Sequence, residues 1–228
     1  MNTKRFWIVG ALLLAALVLY WVGTRERETH FVDLPWQIEV LPDDRVRVFG
    51  VTLGETPLMD LAPRFGVPEF GVFAQADGRL SLEAYFGTVS IGPFQAGLLA
   101  VMSAEPETLD RYVAETTNVR PMPSGARRYE LTEENVREVV RMPVTELVYV
   151  PRARYEAALV EQRFGAPAER VVVDEQRTYW LYPDRGLALM LNGDGRDLLH
   201  YVRPRAFAVL RERIRRGELQ DGQMGTGG

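Results

Sequence analysis

Cysteine is absent from the 228-residue chain, lysine occurs once (Lys4) and histidine twice, at His30 and His200. Without cysteine there is no disulfide, no cysteine for lipid attachment and no Cys-containing zinc site. The two histidines are 170 positions apart, so they do not form a metal motif. We therefore expect no metal and no cofactor. For His200 a structural place on a strand is the simpler interpretation, and a metal-binding or catalytic role is the alternative.

The net charge of the chain indicates which classes of partner it can attract. Hydrophobic residues make up 46% of the chain and charged residues 25%, which is the balance of a globular protein with a real core. Beyond residue 23 the acidic residues outnumber the basic ones by six. Nucleic acids and anionic lipid surfaces attract net positive patches. We therefore expect neither as a ligand.

A run without charge lies near the start of the sequence, over residues 6–23. Eighteen helical residues would be about 27 Å long, close to the roughly 30 Å of a hydrocarbon core. The run predicts a single-pass anchor in the inner membrane with the C-terminal domain in the periplasm, since Lys4 and Arg5 precede it. A cleaved signal peptide is the alternative, although the run ends in bulky residues where cleavage requires small ones.

A five-residue phrase occurs twice, 99 positions apart: Arg-Phe-Gly-Val-Pro at 64–68 and Arg-Phe-Gly-Ala-Pro at 163–167. Each copy follows a short amphipathic helix. The chemistry is that of a helix end, because glycine adopts a left-handed conformation easily and proline prevents the helix from continuing. The phrase therefore predicts the same structural joint in two copies of one unit. The joint residues are Phe65, Gly66 and Pro68 in the first copy, and Phe164, Gly165 and Pro167 in the second.

The pattern predicts an α+β fold: an N-terminal transmembrane helix followed by two similar units, each with a helix, an antiparallel sheet and a closing helix. Turns are expected at residues 76–78, at Gly87 and at residues 183–186. Thr132 is expected to cap a short helix in the connector. The predicted boundaries are a cytoplasmic leader at 1–5, the transmembrane anchor at 6–23, a tether at 24–34, the first unit at 35–118, the connector at 119–143, the second unit at 144–216 and a disordered tail at 217–228.

The second copy of the phrase is followed by Trp180-Leu181-Tyr182-Pro183 on a predicted strand, and then by an apolar strand. This arrangement resembles the SmpA/OmlA (BamE-like) domain, whose layout is similar to that of the tandem domains of β-lactamase inhibitor protein. The resemblance implies helices packed on one face of an antiparallel sheet, and a habit of binding partner proteins. It covers 144–204 well and 48–104 poorly, and the lipid-attachment cysteine of BamE-like proteins is missing.

Catalytic and metal motifs are not evident. Asn192, Asp194 and Asp197 resemble part of a calcium loop, but Arg203 stands where the loop requires glutamate, so a hairpin turn is the simpler interpretation. The acidic pairs Glu133-Glu134 and Asp174-Glu175 fall at a helix start and at a turn, where carboxylates have structural reasons to occur. The sequence therefore predicts no catalytic, cofactor-binding or metal-binding residues.

The function that we expect from the sequence is a non-catalytic interaction or scaffolding module of the bacterial cell envelope. Its partner would be another envelope protein, and residues 6–23 would contact the lipid bilayer. The partner would dock on the sheet face that helices leave uncovered, or on the aromatic residues Trp180 and Tyr182. The alternative is an envelope enzyme whose carboxylates converge only in the folded chain.

Overall fold

Thirteen β-strands lie in the part of the chain that the computed structural model describes, residues 31–75, 78–116, 118–122 and 125–219. Val32 and the described residues after it belong to one compact unit. The strands are β1 Glu39–Leu41, β2 Arg45–Val48, β3 Val51–Thr52, β4 Glu69–Ala74, β5 Leu80–Ile91, β6 Phe94–Met102, β7 Val119–Pro121, β8 Arg127–Tyr129, β9 Val144–Pro151, β10 Glu169–Val172, β11 Arg177–Tyr182, β12 Leu187–Asn192 and β13 Leu198–Val202.

Five α-helices and three short 3₁₀ helices connect these strands within the described ranges. Thr132 caps α3 as predicted, because its hydroxyl accepts a hydrogen bond from the N–H of Asn135. The α-helices are α1 Ala62–Phe65, α2 Pro106–Glu115, α3 Glu133–Val139, α4 Ala157–Phe164 and α5 Phe207–Arg215, and the 3₁₀ helices are Leu58–Leu61, Pro183–Arg185 and Pro204–Ala206.

Ten of the strands form one antiparallel sheet in the order β10-β11-β12-β13-β9-β6-β5-β4-β8-β7, and β1, β2 and β3 form a small second sheet. Strands from the two halves of the sequence meet where β6 pairs with β9, with Leu99 opposite Val148. The connector extends the same sheet, since β8 pairs with β4.

This topology corrects the predicted fold class. Two units with separate sheets were expected, but the structure has a single sheet that runs through both halves, and one large apolar cluster includes residues of both. The physical reason is that β6 and β9 are both apolar strands with free edges. Their pairing satisfies the backbone hydrogen bonds of each edge, which two separate sheets would leave open.

The two predicted joints have the same backbone geometry. Gly66 has φ 89° and ψ −179°, and Gly165 has φ 79° and ψ −176°. The N–H of each glycine donates to the carbonyl oxygen four residues earlier, at 2.9 Å in both cases. Phe65 and Phe164 are both buried in the large apolar cluster. The repeated phrase therefore specifies the same local helix end twice.

The two halves differ at Gly87 and Gly186, which are also 99 positions apart. Both glycines have positive φ, 68° and 64°. The predicted turn at Gly87 is wrong: β5 continues through it, with a shift in register between Tyr85 and Thr88. At Gly186 the chain does turn, because Pro183 has no N–H for a central strand and begins a 3₁₀ helix instead.

The faces of the ten-stranded sheet are covered differently. The large cluster fills one face, where α1, α2, α3, α4 and the small sheet contribute buried residues. On the other face α5 packs against β11, β12 and β13 through Phe207, Leu210 and Ile214. A smaller apolar cluster on that face, centred on Leu99 and Val148, is separate from the cluster under α5.

The prediction of a membrane protein is also corrected. Among the described residues no helix combines the length and the apolar character that crossing a bilayer requires. The longest of them, α2, has ten residues and is therefore about 15 Å long. The predicted anchor, residues 6–23, lies outside the described residues. The single-pass topology and the inner-membrane location are thus not supported.

Candidate functional site

A groove with a volume of about 380 Å³ lies on the sheet face that carries α5. It is lined by residues of β5, β6, β9 and β13, by Leu109 of α2 and by Arg213 of α5. Its apolar part includes Leu99 and Val148, which belong to the smaller cluster on this face. This volume is at the lower end of the range typical of ligand sites.

Two acidic residues share one row across the groove. Glu83 on β5 is opposite Val101 on β6, and Val101 is opposite Glu146 on β9. Residues paired in this way point to the same face of a sheet. Since neighbouring strands are about 4.8 Å apart, the Cα atoms of Glu83 and Glu146 are about 10 Å apart. The sheet register therefore brings together two carboxylates that are 63 positions apart in sequence.

Glu146 is the centre of a charged network. Nε2 of His200 lies 2.7 Å from Oε2 of Glu146, and Nη1 of Arg213 lies 3.4 Å from the same oxygen. The Glu146 side chain is 24% exposed and that of His200 only 5%. We name these three residues the Glu146 network. Three elements, β9, β13 and α5, supply one residue each.

The pKa of Glu146 follows from two opposing effects. Burial is the largest and would raise the pKa, but the hydrogen bond and charge of His200, together with Arg213, outweigh it and lower the pKa of Glu146 to about 2. Glu146 is therefore an ionised carboxylate at neutral pH, held on the wall of a groove that apolar and polar residues line in equal number.

Glu83 is the other carboxylate of the row. It is 3% exposed, and its Oε1 accepts a hydrogen bond of 2.5 Å from the hydroxyl of Ser81 on the same strand. Ser81 and Glu83 are two residues apart and so point to the same face of β5. The groove thus has a polar row beside its apolar residues.

The end of α5 fixes one rim of the groove. The N–H of Gly217 donates to Ile214 O at 3.0 Å and the N–H of Glu218 to Arg213 O at 2.9 Å, which is the pattern of a Schellman helix end. Glu218 then pairs with Arg79 at 2.6 Å. Gly217 and Glu218, which were predicted to belong to a disordered tail, are therefore bonded to the fold; residues 220–228 lie outside the described part.

The predicted partner-binding residues lie in the core. Trp180 is 5% exposed and Tyr182 is 6% exposed, both within the large cluster. The guanidinium of Arg170 stacks 4.1 Å from the centre of the Trp180 ring, and the hydroxyl of Tyr182 donates to Gly165 O at 3.0 Å. Their burial corrects the expectation that they present an aromatic surface. Tyr182 instead stabilises the second joint.

The remaining joint residues have structural surroundings. Phe65 packs edge-on against Phe86, with 5.9 Å between ring centroids, and Phe164 packs edge-on against Trp36 at 6.4 Å. Neither joint borders the groove. Pro68 and Pro167 follow the joint glycines just before β4 and β10. The joints therefore position the strands and do not form a site.

The calcium-like segment forms a turn network. Asp197, 2% exposed, accepts hydrogen bonds from the N–H groups of Asn192 and Tyr155. Oδ1 of Asn192 accepts from the N–H groups of Asp194 and Gly195. Across the described ranges no group of three or more His, Cys, Asp or Glu residues is arranged to hold a metal ion. These side chains hold the hairpin between β12 and β13.

No sequence pattern indicates the Glu146 network. Its members are 54 and 13 positions apart in sequence, so no motif connects them. The available signal was that Glu146 and His200 are the charged or ionisable interruptions of two mainly apolar strands. An ionisable residue on such a strand is expensive to bury unless it has partners, and this alone could have marked both positions.

Comparison with known proteins gave no match: no family model fits the chain, and neither curated proteins nor solved structures are significantly similar to it. The resemblance to SmpA/OmlA domains therefore stays a prediction.

Proposed function

We propose that this protein is a non-catalytic binding module that holds an extended segment of a partner protein in the groove. One observation carries the proposal, namely a groove of about 380 Å³ that combines apolar residues with the partly buried Glu146 network. Binding sites typically combine apolar side chains, which supply contact area, with polar groups that fix the orientation of the ligand.

Charge indicates the chemistry of the partner. Two cations border the groove, Arg79 and Arg213, and each is within 4 Å of a carboxylate, Glu218 and Glu146. A charged partner would have to compete with these pairs while losing its own hydration. The groove therefore favours a partner segment whose inserted side chain is apolar and uncharged.

The shape of the apolar surface supports an extended segment over a compact small molecule. Leu99, Val101 and Val148 line the groove, and the cluster to which they belong continues beyond it to Tyr85 and Val150. This apolar strip follows β5, β6 and β9. An extended chain can place alternate side chains along such a strip.

Selection from a displayed peptide library against the full chain tests the proposal. We expect the selected peptides to share an apolar residue and to bind Val101→Arg at least about tenfold more weakly than the unmodified protein, a loss of about 1.4 kcal/mol. Val101 is a half-buried residue of the groove, so arginine there would fill it.

The matched control is Val172→Arg, the same change at a 71% exposed strand residue outside the groove. It should leave peptide affinity unchanged, and both variants should keep the thermal unfolding transition of the unmodified protein. Equal binding by Val101→Arg and the unmodified protein would contradict the proposal.

An enzyme is the second candidate, and the contact of 2.7 Å between Glu146 and His200 is the observation that favours it. A carboxylate that orients an imidazole is the arrangement of many general bases. A panel of nitrophenyl ester and glycoside substrates is a direct assay. Turnover that His200→Gln abolishes, in a variant that still unfolds cooperatively, would favour the enzyme over the binding module.

A further inference from the structure

We infer that the outer edge of β10 is a second interaction surface, on which a second copy of this chain pairs its own β10 antiparallel across a two-fold axis at Val171. β10 ends the ten-stranded sheet, and within the described part of the chain no strand pairs with its outer edge. The inference is independent of the groove, since no residue of β10 lines it. In the dimer one sheet continues through both copies.

The hydrogen bonds at the end of β10 show which of its backbone groups face outward. The N–H of Val173 donates to Arg177 O at 3.0 Å, so these residues form a hydrogen-bonded pair with β11. Such pairs alternate with non-hydrogen-bonded ones along antiparallel strands. Val171 is two residues earlier and is therefore also bonded to β11, whereas the N–H and C=O groups of Arg170 and Val172 point away from it.

This edge is complementary to itself. Two antiparallel edges can pair when the residues whose backbone groups point outward stand opposite each other. A two-fold axis at Val171 places Arg170 of each copy opposite Val172 of the other, and each of these two pairs forms two hydrogen bonds. A contact of this kind, in which both copies use the same surface, is the commonest one between identical chains.

The side chains of β10 are compatible with this contact. The guanidinium of Arg170 lies 4.1 Å from the centre of the Trp180 ring on β11, so its charge lies over its own sheet and away from the edge. Glu169 is paired with two arginines of α5 in its own chain. Val172 is 71% exposed and Val171 is half-buried. Pairing of the edges covers both valines.

The edge at the opposite end of the sheet is protected against such pairing. The N–H of Met122 donates to Ala126 O at 2.8 Å, so by the same alternation Val119 and Pro121 of β7 face outward. Pro121 has no N–H, and the edge of β7 therefore lacks a donor that a further strand requires. β10 contains no proline. The contrast points to β10 as the edge that pairs.

The absence of cysteine from the chain makes site-specific cross-linking a direct test. In the dimer Val171 faces Val171 of the second copy as a non-hydrogen-bonded pair, with Cα atoms about 4.5 Å apart, which a disulfide can bridge. Oxidation of Val171→Cys in the full chain should therefore give a disulfide-linked dimer.

The matched control is Val172→Cys. The two copies of residue 172 are diagonal neighbours about 7 to 8 Å apart, so they should cross-link at least about tenfold more slowly. Val172 is more exposed than Val171, and random collision would give the opposite order. Equal rates for the two variants, or no linked dimer of Val171→Cys, would overturn the inference.

The second test removes an outward donor from β10. Val172→Pro gives this edge the feature that Pro121 gives β7, and it removes half of the hydrogen bonds between the copies. The edge is short, so the dimer is weak, and sedimentation equilibrium of the full chain at rising concentration is the suitable measurement. The dissociation constant should rise at least about tenfold. Val172→Thr keeps the N–H and a branched side chain, and should change it by less than about twofold.

The inference and the proposed function can fail separately. A chain that stays monomeric at its highest soluble concentration, or a dimer that a cooperatively unfolding Val172→Pro variant leaves unchanged, would overturn pairing at β10. If Val172→Pro does not fold, the two cysteine variants decide, because neither removes a backbone hydrogen bond. Peptide binding in the groove is measured on its own, and its loss concerns the proposed function.

Discussion

The two halves of the chain end in the helices α2 and α5, which pack on opposite faces of the sheet. Pro106 begins α2, and Pro204, 98 positions later, begins the 3₁₀ helix that leads into α5. Leu109 and Tyr112 of α2 belong to the large core. Leu210 of α5 belongs to the separate cluster on the other face. Each helix has the apolar stripe that the sequence predicts. A stripe shows that a helix is covered on one side and does not indicate which face of a sheet covers it.

This difference creates the groove. On its face α5 covers the strands of the second half, whereas α2 packs on the opposite face and reaches the groove through Leu109. The end of α5 also supplies Arg213 to Glu146 on the strand that joins the two halves. The site therefore depends on the asymmetry between two similar sequences.

The largest expected effect is a loss of stability when the packing of α5 on β11, β12 and β13 is disturbed. Leu210 is 2% exposed, and its neighbour Val209 is 65% exposed. Leu210→Ala should lower the free energy of unfolding by about 3 kcal/mol, because it leaves a cavity beneath the helix. Val209→Ala should change it by less than about 0.5 kcal/mol. Urea unfolding measures both, and equal values would show that α5 packs differently.

Local structure was predictable where a few adjacent residues decide it. The hairpin of β1 and β2, the Thr132 cap and the positive φ of the glycine at both joints follow from turn and cap chemistry. The left-handed helical conformation expected at the joints is not the one observed, because ψ of both glycines is near 180°. The single ten-stranded sheet was not predictable, because the sequence of an edge strand does not specify which strand it pairs with, as the pairing of β6 with β9 shows. At Gly87 the turn prediction failed because glycine fits a bulge as well as a turn.

The second prediction concerns Gly87 and Gly186, which lie 99 positions apart in the two halves. A Cβ added to Gly186 would lie 1.8 Å from the carbonyl oxygen of Val202, whereas one added to Gly87 would meet no atom within 4 Å. Gly87→Ala should therefore cost about 1 kcal/mol for its positive φ. Gly186→Ala should cost about 3 kcal/mol, since the backbone must also move. Similar thermal shifts in the two variants would contradict the difference between the halves.

The candidate site was less predictable than the fold. The sequence drew attention to Trp180 and Tyr182, since aromatic residues on a strand are common in interfaces, but their side chains face the core. The register of three neighbouring strands is what places Glu83 and Glu146 in one row. A register depends on pairing between distant segments, so a single sequence does not reveal it.

The third prediction concerns the stability of the protein in acid and is specific to the groove. The pKa of Glu146 is lowered from 4.5 to about 2 in the folded protein. Each pH unit between the unfolded and folded values corresponds to about 1.4 kcal/mol, which gives about 3 kcal/mol in total, and solvent at a side chain that is 24% exposed reduces this to about 2 kcal/mol. Because the folded pKa is the lower one, this stability is present above about pH 4.5 and is lost as the pH falls towards 2.

Urea unfolding of Glu146→Gln and of the unmodified protein should differ by about 2 kcal/mol at pH 7 and converge below pH 3, since glutamine does not titrate. A difference that stays constant from pH 7 to pH 3 would mean that Glu146 contributes packing and no charge to the groove.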